Sequence, residues 1–127
     1  MQNEDKLQNI LLVEDDSVDV MNVQRAFKKT NITNPLYIAF NGVEAFNMLR
    51  GTNGKPKLHP TPRIILLDIN MPKMNGLEFL RELRNDPEFK SISVFVMTTS
   101  NDDNDKIEAY KLNVAGYILK PLSFEKF

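Results

Sequence analysis

The chain has 127 residues, 42% of them hydrophobic, which is enough for one domain with an apolar core. Basic and acidic side chains nearly cancel, 16 against 17, so the net charge gives no indication of a nucleic acid or membrane partner. The absence of cysteine, with a single histidine, His59, excludes disulfide frameworks and metal sites built on thiolates or several histidines. No apolar run approaches the roughly 18 residues of a membrane helix, and the polar, acidic start is unlike a secretory signal. We therefore expect a cytoplasmic protein.

Short β-type runs alternate with helical patterns along the chain, which predicts βαβ units around a parallel sheet. The five predicted strands cover residues 9–14, 36–40, 64–68, 93–98 and 116–120. Four helices are predicted between them: one capped by Asp16 or Ser17, one over 43–50 ending at Gly51, one from about Asn75 to before Asp86, and one capped by Asp102 or Asp103. Their apolar residues are Val20, Val23 and Phe27 in the first, Leu77, Leu80 and Leu83 in the third, and Ile107, Tyr110 and Leu112 in the fourth. Right-handed crossovers then predict an α/β fold with a doubly wound five-stranded parallel sheet.

The end of the chain departs from this pattern. Ser123 has the character of a helix cap, yet only four residues follow it. We expect residues 1–127 to form a single domain that stops at the start of its last helix, so that a fifth helix is largely absent and the chain is a fragment. Apolar sheet surface left open in this way makes a homodimer an open hypothesis.

Polar side chains stand where four of the predicted strands end. Glu14 and Asp15 follow the first strand, Asp68 ends the third, Thr98 ends the fourth and Lys120 ends the fifth. The carboxyl ends of parallel strands share one edge of a sheet, where α/β folds place their sites. Carboxylates from two strand ends predict a pocket for a hard cation such as Mg²⁺, which prefers oxygen ligands. Asp68 could serve there as metal ligand, nucleophile or both.

These motifs, in this order, resemble those of the CheY-like receiver domain of two-component response regulators. The matching segments are 12–16 (Leu-Val-Glu-Asp-Asp), 66–72 (Leu-Leu-Asp-Ile-Asn-Met-Pro) with Asn75-Gly76, 97–100 (Met-Thr-Thr-Ser) and 116–121 (Gly-Tyr-Ile-Leu-Lys-Pro). The resemblance spans nearly the whole chain and implies a flavodoxin-like sheet with strand order 2-1-3-4-5.

The resemblance also implies a metal site and a phosphoacceptor. Asp68 would accept the phosphoryl group, Asp15 would bind Mg²⁺ directly, Glu14 would hold it through water, and the backbone carbonyl of Asn70 would be a further ligand. The chemistry is suitable, since an aspartate can attack phosphorus and form an aspartyl phosphate.

Three further residues receive roles from the resemblance. Thr98 would hydrogen-bond one phosphoryl oxygen, Lys120 would pair with another, and Tyr117 would be an aromatic switch that moves with Thr98. A dianionic phosphoryl group is repelled by a carboxylate, so positive charge from Mg²⁺ and Lys120 is what such a reaction needs. The Lys120–Pro121 bond is expected to be cis.

The expected function is that of a receiver that takes a phosphoryl group from a histidine kinase or histidine phosphotransfer protein. It would catalyse only its own phosphorylation and dephosphorylation, and signal by contact with an unknown downstream protein, with no nucleic acid or membrane partner. The long loop 53–62 and Thr98-Thr99-Ser100 resemble the stand-alone, phytochrome-associated regulators.

The alternative is a pseudo-receiver, an interaction module that is not phosphorylated. A haloacid dehalogenase is disfavoured, because Asp68-Ile69-Asn70 lacks the second aspartate of its D-x-D motif, and a flavin site is disfavoured by the acidic first turn.

Overall fold

The computed structural model describes residues 8–71, 75–99 and 101–120. Strands and helices alternate along these residues as β1 Ile10–Val13, α1 Ser17–Lys29, β2 Leu36–Ala39, α2 Gly42–Arg50, β3 Ile64–Leu67, α3 Gly76–Arg84, β4 Ser93–Thr98, α4 Asp103–Lys111 and β5 Gly116–Leu119. The five predicted strands and four predicted helices are confirmed, with ends that shift by one or two residues. Helix ends fray and assignments commonly differ by this much.

The five strands form one parallel sheet in the order β2-β1-β3-β4-β5. In the centre, Leu12 of β1 aligns with Ile38 of β2 and with Leu66 of β3. All four residues of β1 are buried, as expected for a central strand with both faces covered. The strand order implied by the resemblance is therefore confirmed.

Polar caps begin the helices at the predicted positions. The side chain of Asp16 accepts hydrogen bonds from the N–H groups of Val18 and Asp19, and Asp102 caps α4 in the same way. Asn75 and Glu78 form a reciprocal capping box at the start of α3. These caps begin α1, α3 and α4 at the edge of the sheet where the strands end.

Apolar side chains form two layers, one on each face of the sheet. On one face, alternate residues of the central strands pack with α2, α3 and α4, through side chains such as Phe46, Phe79 and Leu83. On the other face, the intervening strand residues pack against Val23 and Phe27 of α1. No helix among the described residues is long and apolar enough to cross a bilayer.

The apolar pattern of α4 predicts the helix, but two of the three apolar residues that define the pattern are exposed. Ile107 and Tyr110 are 53% and 52% exposed, whereas Ala109 is fully buried and Leu112 packs against the core. Successive residues turn by about 100° around a helix, so Ala109 lies about 200° from Ile107. Helix α4 therefore packs on a small side chain and turns its larger apolar ones to solvent.

Three expectations concern residues that the structure does not describe. They are the cis Lys120–Pro121 bond, the cap at Ser123 and the truncated fifth helix. All three involve residues 121–127 and stay predictions.

Candidate functional site

Backbone hydrogen bonds continue the sheet up to the polar residues at the strand ends. The Glu14 N–H donates to the Ala39 carbonyl at 2.9 Å, and the Asp68 N–H donates to the Val13 carbonyl at 3.0 Å. At the other side of the sheet, the Lys120 N–H donates to the Thr98 carbonyl at 2.9 Å. The side chains of the site are thus held by the sheet itself, which fixes their positions better than a loop would.

Three carboxylates meet at this edge. Oxygen atoms of Glu14, Asp15 and Asp68 all lie within 4.8 Å of one another. Glu14 and Asp68 are buried, with 0% and 4% of their surface exposed, while Asp15 is exposed. Three carboxylate oxygens at this separation, one of them open to solvent, form a donor set suited to a hard divalent cation that keeps some of its water.

The side chain of Lys120 lies beside the same carboxylates and is only 7% exposed. Its Nζ atom is 2.8 Å from Glu14 Oε1, 2.7 Å from Asp19 Oδ2 and 3.3 Å from Asp68 Oδ2. The sequence predicts the meeting of Lys120 with Glu14 and Asp68 but not the contact with Asp19. An acid in the first turn of a helix is common because the helix dipole favours it, so the sequence carries no signal that sets Asp19 apart.

Burial and neighbouring charges shift the pKa values of two of these groups. Burial, reinforced by repulsion from Asp68, raises the pKa of Glu14 to about 7, although the hydrogen bond from Lys120 opposes that rise. Burial alone would lower the pKa of Lys120, but its hydrogen bonds to Asp19 and Glu14 and the charge of Asp68 outweigh burial and raise it. Lys120 is therefore a cation at neutral pH, and in the metal-free site the charge of Glu14 changes near pH 7.

Asn70 links the end of β3 to the end of β4. Its backbone N–H donates to Asp68 Oδ1 at 3.0 Å, and its side-chain amide donates to Thr98 Oγ1 at 3.3 Å and Thr99 Oγ1 at 3.4 Å. Thr98 is fully buried. The carboxylate of Asp68 and the hydroxyl of Thr98 are thus joined through one residue, and a change at Asp68 has a short path to β4.

Gly76 allows the first residue of α3 to pack against the backbone of Asp68 and Ile69. Its N–H donates to the Ile69 carbonyl at 3.1 Å. A Cβ atom at Gly76 would lie 2.4 Å from the Ile69 Cα and 2.5 Å from the Asp68 carbonyl oxygen. Only glycine allows this approach of α3 to the backbone that carries Asp68.

Tyr117 lies apart from the carboxylates, on β5. It is partly buried against the core, beside Val96 of β4. Its ring centre is 6.4 Å from that of Tyr110, and the Lys106 ammonium is 5.8 Å from the ring. The structure therefore brings Glu14, Asp15, Asp68, Asn70, Thr98 and Lys120 together at one edge and leaves Tyr117 on the adjacent surface.

Comparison with known proteins identifies the family of the chain. The sequence profile of the response regulator receiver domain matches residues 10–127. Response regulator Rcp1 of Synechocystis sp. is 40% identical over 111 residues, which cover 87% of this chain and 75% of that protein. A solved Mn²⁺-bound form of response regulator Rcp1 superposes with a TM-score of 0.80, at 36% identity, over 94% of this chain and 85% of that one.

Two further solved structures are similar over almost the whole chain. A two-component response regulator from Legionella pneumophila is 45% identical, with a TM-score of 0.84 over 95% of this chain and 92% of that one. The phosphorylated cyanobacterial phytochrome response regulator RcpA is 33% identical, with a TM-score of 0.84 over 95% of this chain and 86% of that one. The chain belongs to the response regulator receiver domain family.

Proposed function

We propose that this receiver domain, spanning residues 1–127, accepts a phosphoryl group on Asp68 in a Mg²⁺-dependent reaction. The observation that carries the proposal is the setting of Asp68, a buried carboxylate with the Lys120 ammonium 3.3 Å away and two further carboxylates within 4.8 Å. Cationic groups beside an aspartate are what a phosphoryl dianion needs in order to approach it.

The proposed reaction is a displacement at phosphorus. A carboxylate oxygen of Asp68 attacks the phosphorus atom, and the bond from phosphorus to the donor breaks with its electron pair on the leaving group. An acyl phosphate then remains on Asp68. Attack by water on the same phosphorus later regenerates the carboxylate and releases inorganic phosphate, with the water's protons passing to phosphate and solvent.

Glu14, Asp15 and Asp68 would hold the metal ion, with the backbone carbonyl of Asn70 as a further ligand. When bound, Mg²⁺ supplies positive charge that reduces repulsion between the acceptor and the phosphoryl oxygens. The oxygen-only donor set supports a hard cation, and the Mn²⁺-bound form of Rcp1 supports divalent binding in a similar protein.

Lys120 and Thr98 would bind two different phosphoryl oxygens. The ammonium of Lys120 is fixed beside Asp68. The buried hydroxyl of Thr98 is linked to Asp68 by the hydrogen bonds of Asn70. Movement of Thr98 toward the phosphoryl group would then alter β4 and the surface around Tyr117, which we propose as the switch residue.

The proposed donor is a histidine kinase or a histidine phosphotransfer protein, and the output is contact with a downstream protein. The similarity to a phosphorylated phytochrome response regulator suggests a phytochrome-type sensor kinase as the donor. We further propose that the domain turns over no substrate other than its own phosphoryl group.

The test is incubation with acetyl phosphate, with and without Mg²⁺, followed by intact mass measurement. The wild-type chain should gain one phosphoryl group only with Mg²⁺, and Asp68→Asn should gain none. The matched control is Asp103→Asn, an exposed aspartate at the start of α4, which should be phosphorylated like wild type. A folded wild-type protein that gains no phosphoryl group would refute the proposal and favour a pseudo-receiver.

A further inference from the structure

Asp19 is an acid of the site that the receiver motifs do not include. It lies in the first turn of α1, and its Oδ2 atom is 2.7 Å from the Lys120 ammonium, the shortest of the three carboxylate contacts of that group. It is not among the three clustered carboxylates that could share a metal ion. Its partner in the site is the lysine.

The position of Asp19 in its helix would ordinarily give it another role. It is the third residue after the N-cap Asp16, where an acid often accepts a hydrogen bond from the N-cap N–H. Glu78 does so in α3, where it accepts from Asn75 at 3.0 Å. In α1 the N–H of Asp16 donates to Glu14 Oε2 at 3.1 Å instead, so the carboxylate of Asp19 is not needed as a cap.

The three contacts of Lys120 are unequal. An ammonium group has three N–H donors, and here each has a carboxylate within reach. The contacts with Asp19 and Glu14, at 2.7 and 2.8 Å, are short charge-assisted hydrogen bonds, whereas the contact with Asp68 is 3.3 Å. The ammonium is thus held by α1 and β1, and its third donor points to Asp68 in the weakest of the three bonds.

We propose that Asp19 is a positioning residue that fixes the Lys120 ammonium so that one donor stays available to a phosphoryl group arriving at Asp68. This inference rests on the proposed function, since it assumes that Asp68 is the acceptor. A lysine side chain has four rotatable bonds and loses considerable freedom when it is fixed. Asp19 and Glu14 hold it before the reaction through the two shorter contacts, and its longest contact is the one to Asp68.

The test compares phosphorylation rates with acetyl phosphate and Mg²⁺ in a double-mutant cycle. Asp19→Ala should lower the rate about tenfold to a hundredfold, as expected when a reacting group loses its position. Asp19→Asn keeps a hydrogen-bond acceptor and should show a smaller loss. In a Lys120→Ala background, Asp19→Ala should have no further effect, because the group that it positions is gone.

Two measurements separate positioning from a structural role. Glu78→Ala, the matched acid at the third position of α3, should weaken a helix cap without lowering the rate by more than about twofold. In ¹⁵N NMR spectra of the unphosphorylated protein, the Lys120 ammonium protons should exchange with solvent faster in Asp19→Ala than in wild type. Urea unfolding establishes that each variant is folded.

The outcomes are distinct. If wild type gains no phosphoryl group, the proposed function fails and this inference falls with it. If wild type is phosphorylated but Asp19→Ala reacts as fast or faster, or loses the same factor in the Lys120→Ala background, only the role of Asp19 is overturned. Unchanged ammonium exchange in Asp19→Ala would also overturn it.

Discussion

Lys120 and Glu14 form an ion pair inside the protein, with Nζ 2.8 Å from Oε1 and side chains that are 7% and 0% exposed. They are 106 positions apart in sequence, so this contact joins the first strand end to the last. Removal of one partner of a buried pair leaves the other charge buried without compensation, which is far more costly than losing a surface pair.

Lys120→Met should therefore destabilise the protein in a pH-dependent manner. At pH 8, where Glu14 is ionised, we expect the free energy of unfolding to fall by about 3 kcal/mol. At pH 5 the loss should be smaller, because Glu14 can take up a proton. Urea unfolding in EDTA measures both values. The control is Lys57→Met, whose pair with Glu88 is exposed and should contribute little. Equal losses at the two pH values would contradict this prediction.

The raised pKa of Glu14 predicts how the stability of the metal-free protein depends on pH. This pKa is about 7 in the folded protein and about 4.5 without the fold, so between these values the folded state binds more protons. The resulting stability is complete below pH 4.5 and is lost as the pH rises through 7. The loss should approach about 3 kcal/mol.

Urea unfolding in EDTA from pH 4.5 to 8 measures this slope, and Glu14→Gln should flatten it. The lowered pKa values of Glu44 and Asp86 affect stability below this window and do not obscure it. Added Mg²⁺ should raise the free energy of unfolding of the wild-type protein at pH 7.5, because the cation compensates the charge of ionised Glu14. A slope that persists in Glu14→Gln would assign the titration to another group.

Gly76 packs against the backbone beside Asp68 too closely for any side chain. Gly76→Ala would place a Cβ atom 2.4 Å from the Ile69 Cα, and backbone atoms cannot yield as a flexible side chain does. We expect a loss of about 2–4 kcal/mol in the free energy of unfolding, with slower phosphorylation of Asp68. Gly54→Ala provides a control, since nothing lies within 4 Å of a Cβ there, although its φ of 84° adds some strain. Wild-type stability of Gly76→Ala would show that the loop relaxes at little cost.

The sequence was sufficient to predict the sheet and most of the site because parallel strands impose a simple rule. Once the strands end at Glu14, Asp68, Thr98 and Lys120, the sheet brings these residues to one edge. No comparable rule exists for Asp19. The orientation of its carboxylate depends on which acceptor already takes the hydrogen bond from the Asp16 N–H. That N–H bonds to Glu14, a consequence of side-chain geometry that spacing does not encode.

The side of α4 that faces the core could not be predicted from the sequence for a related reason. Ile107 and Tyr110 offer more apolar surface to bury than the methyl group of Ala109, so periodicity favours their burial. Close packing of a helix on a crowded surface can favour the small residue instead, and Ala109 is fully buried. The spacing of the apolar residues therefore predicted that the helix exists, but the space between the helix and the core decided which side faces inward.

Arg84 joins the end of α3 to two other segments through backbone carbonyls, and none of the carboxylates in the described part of the chain pairs with it. Its guanidinium donates to the carbonyls of Leu112 and Ile92 at 2.7 Å, Lys90 at 2.8 Å and Asn113 at 3.1 Å. These acceptors lie where α4 ends and where β4 begins. One planar group with five donors thus joins α3, β4 and the turn that leads into β5.

Arg84→Lys should accordingly be far from conservative. A single ammonium group cannot span four carbonyls that surround a planar fork, so some would lose their partner while partly buried. We expect the free energy of unfolding to fall by about 2–3 kcal/mol, with the earliest loss of amide protection at residues 112–116. Urea unfolding and hydrogen exchange measure the two effects. Arg81→Lys, in an exposed pair with Glu108 at 3.4 Å, is the matched control and should stay close to wild type. If both lysine variants were equally stable, the four hydrogen bonds would have no net role in holding α4 to the sheet.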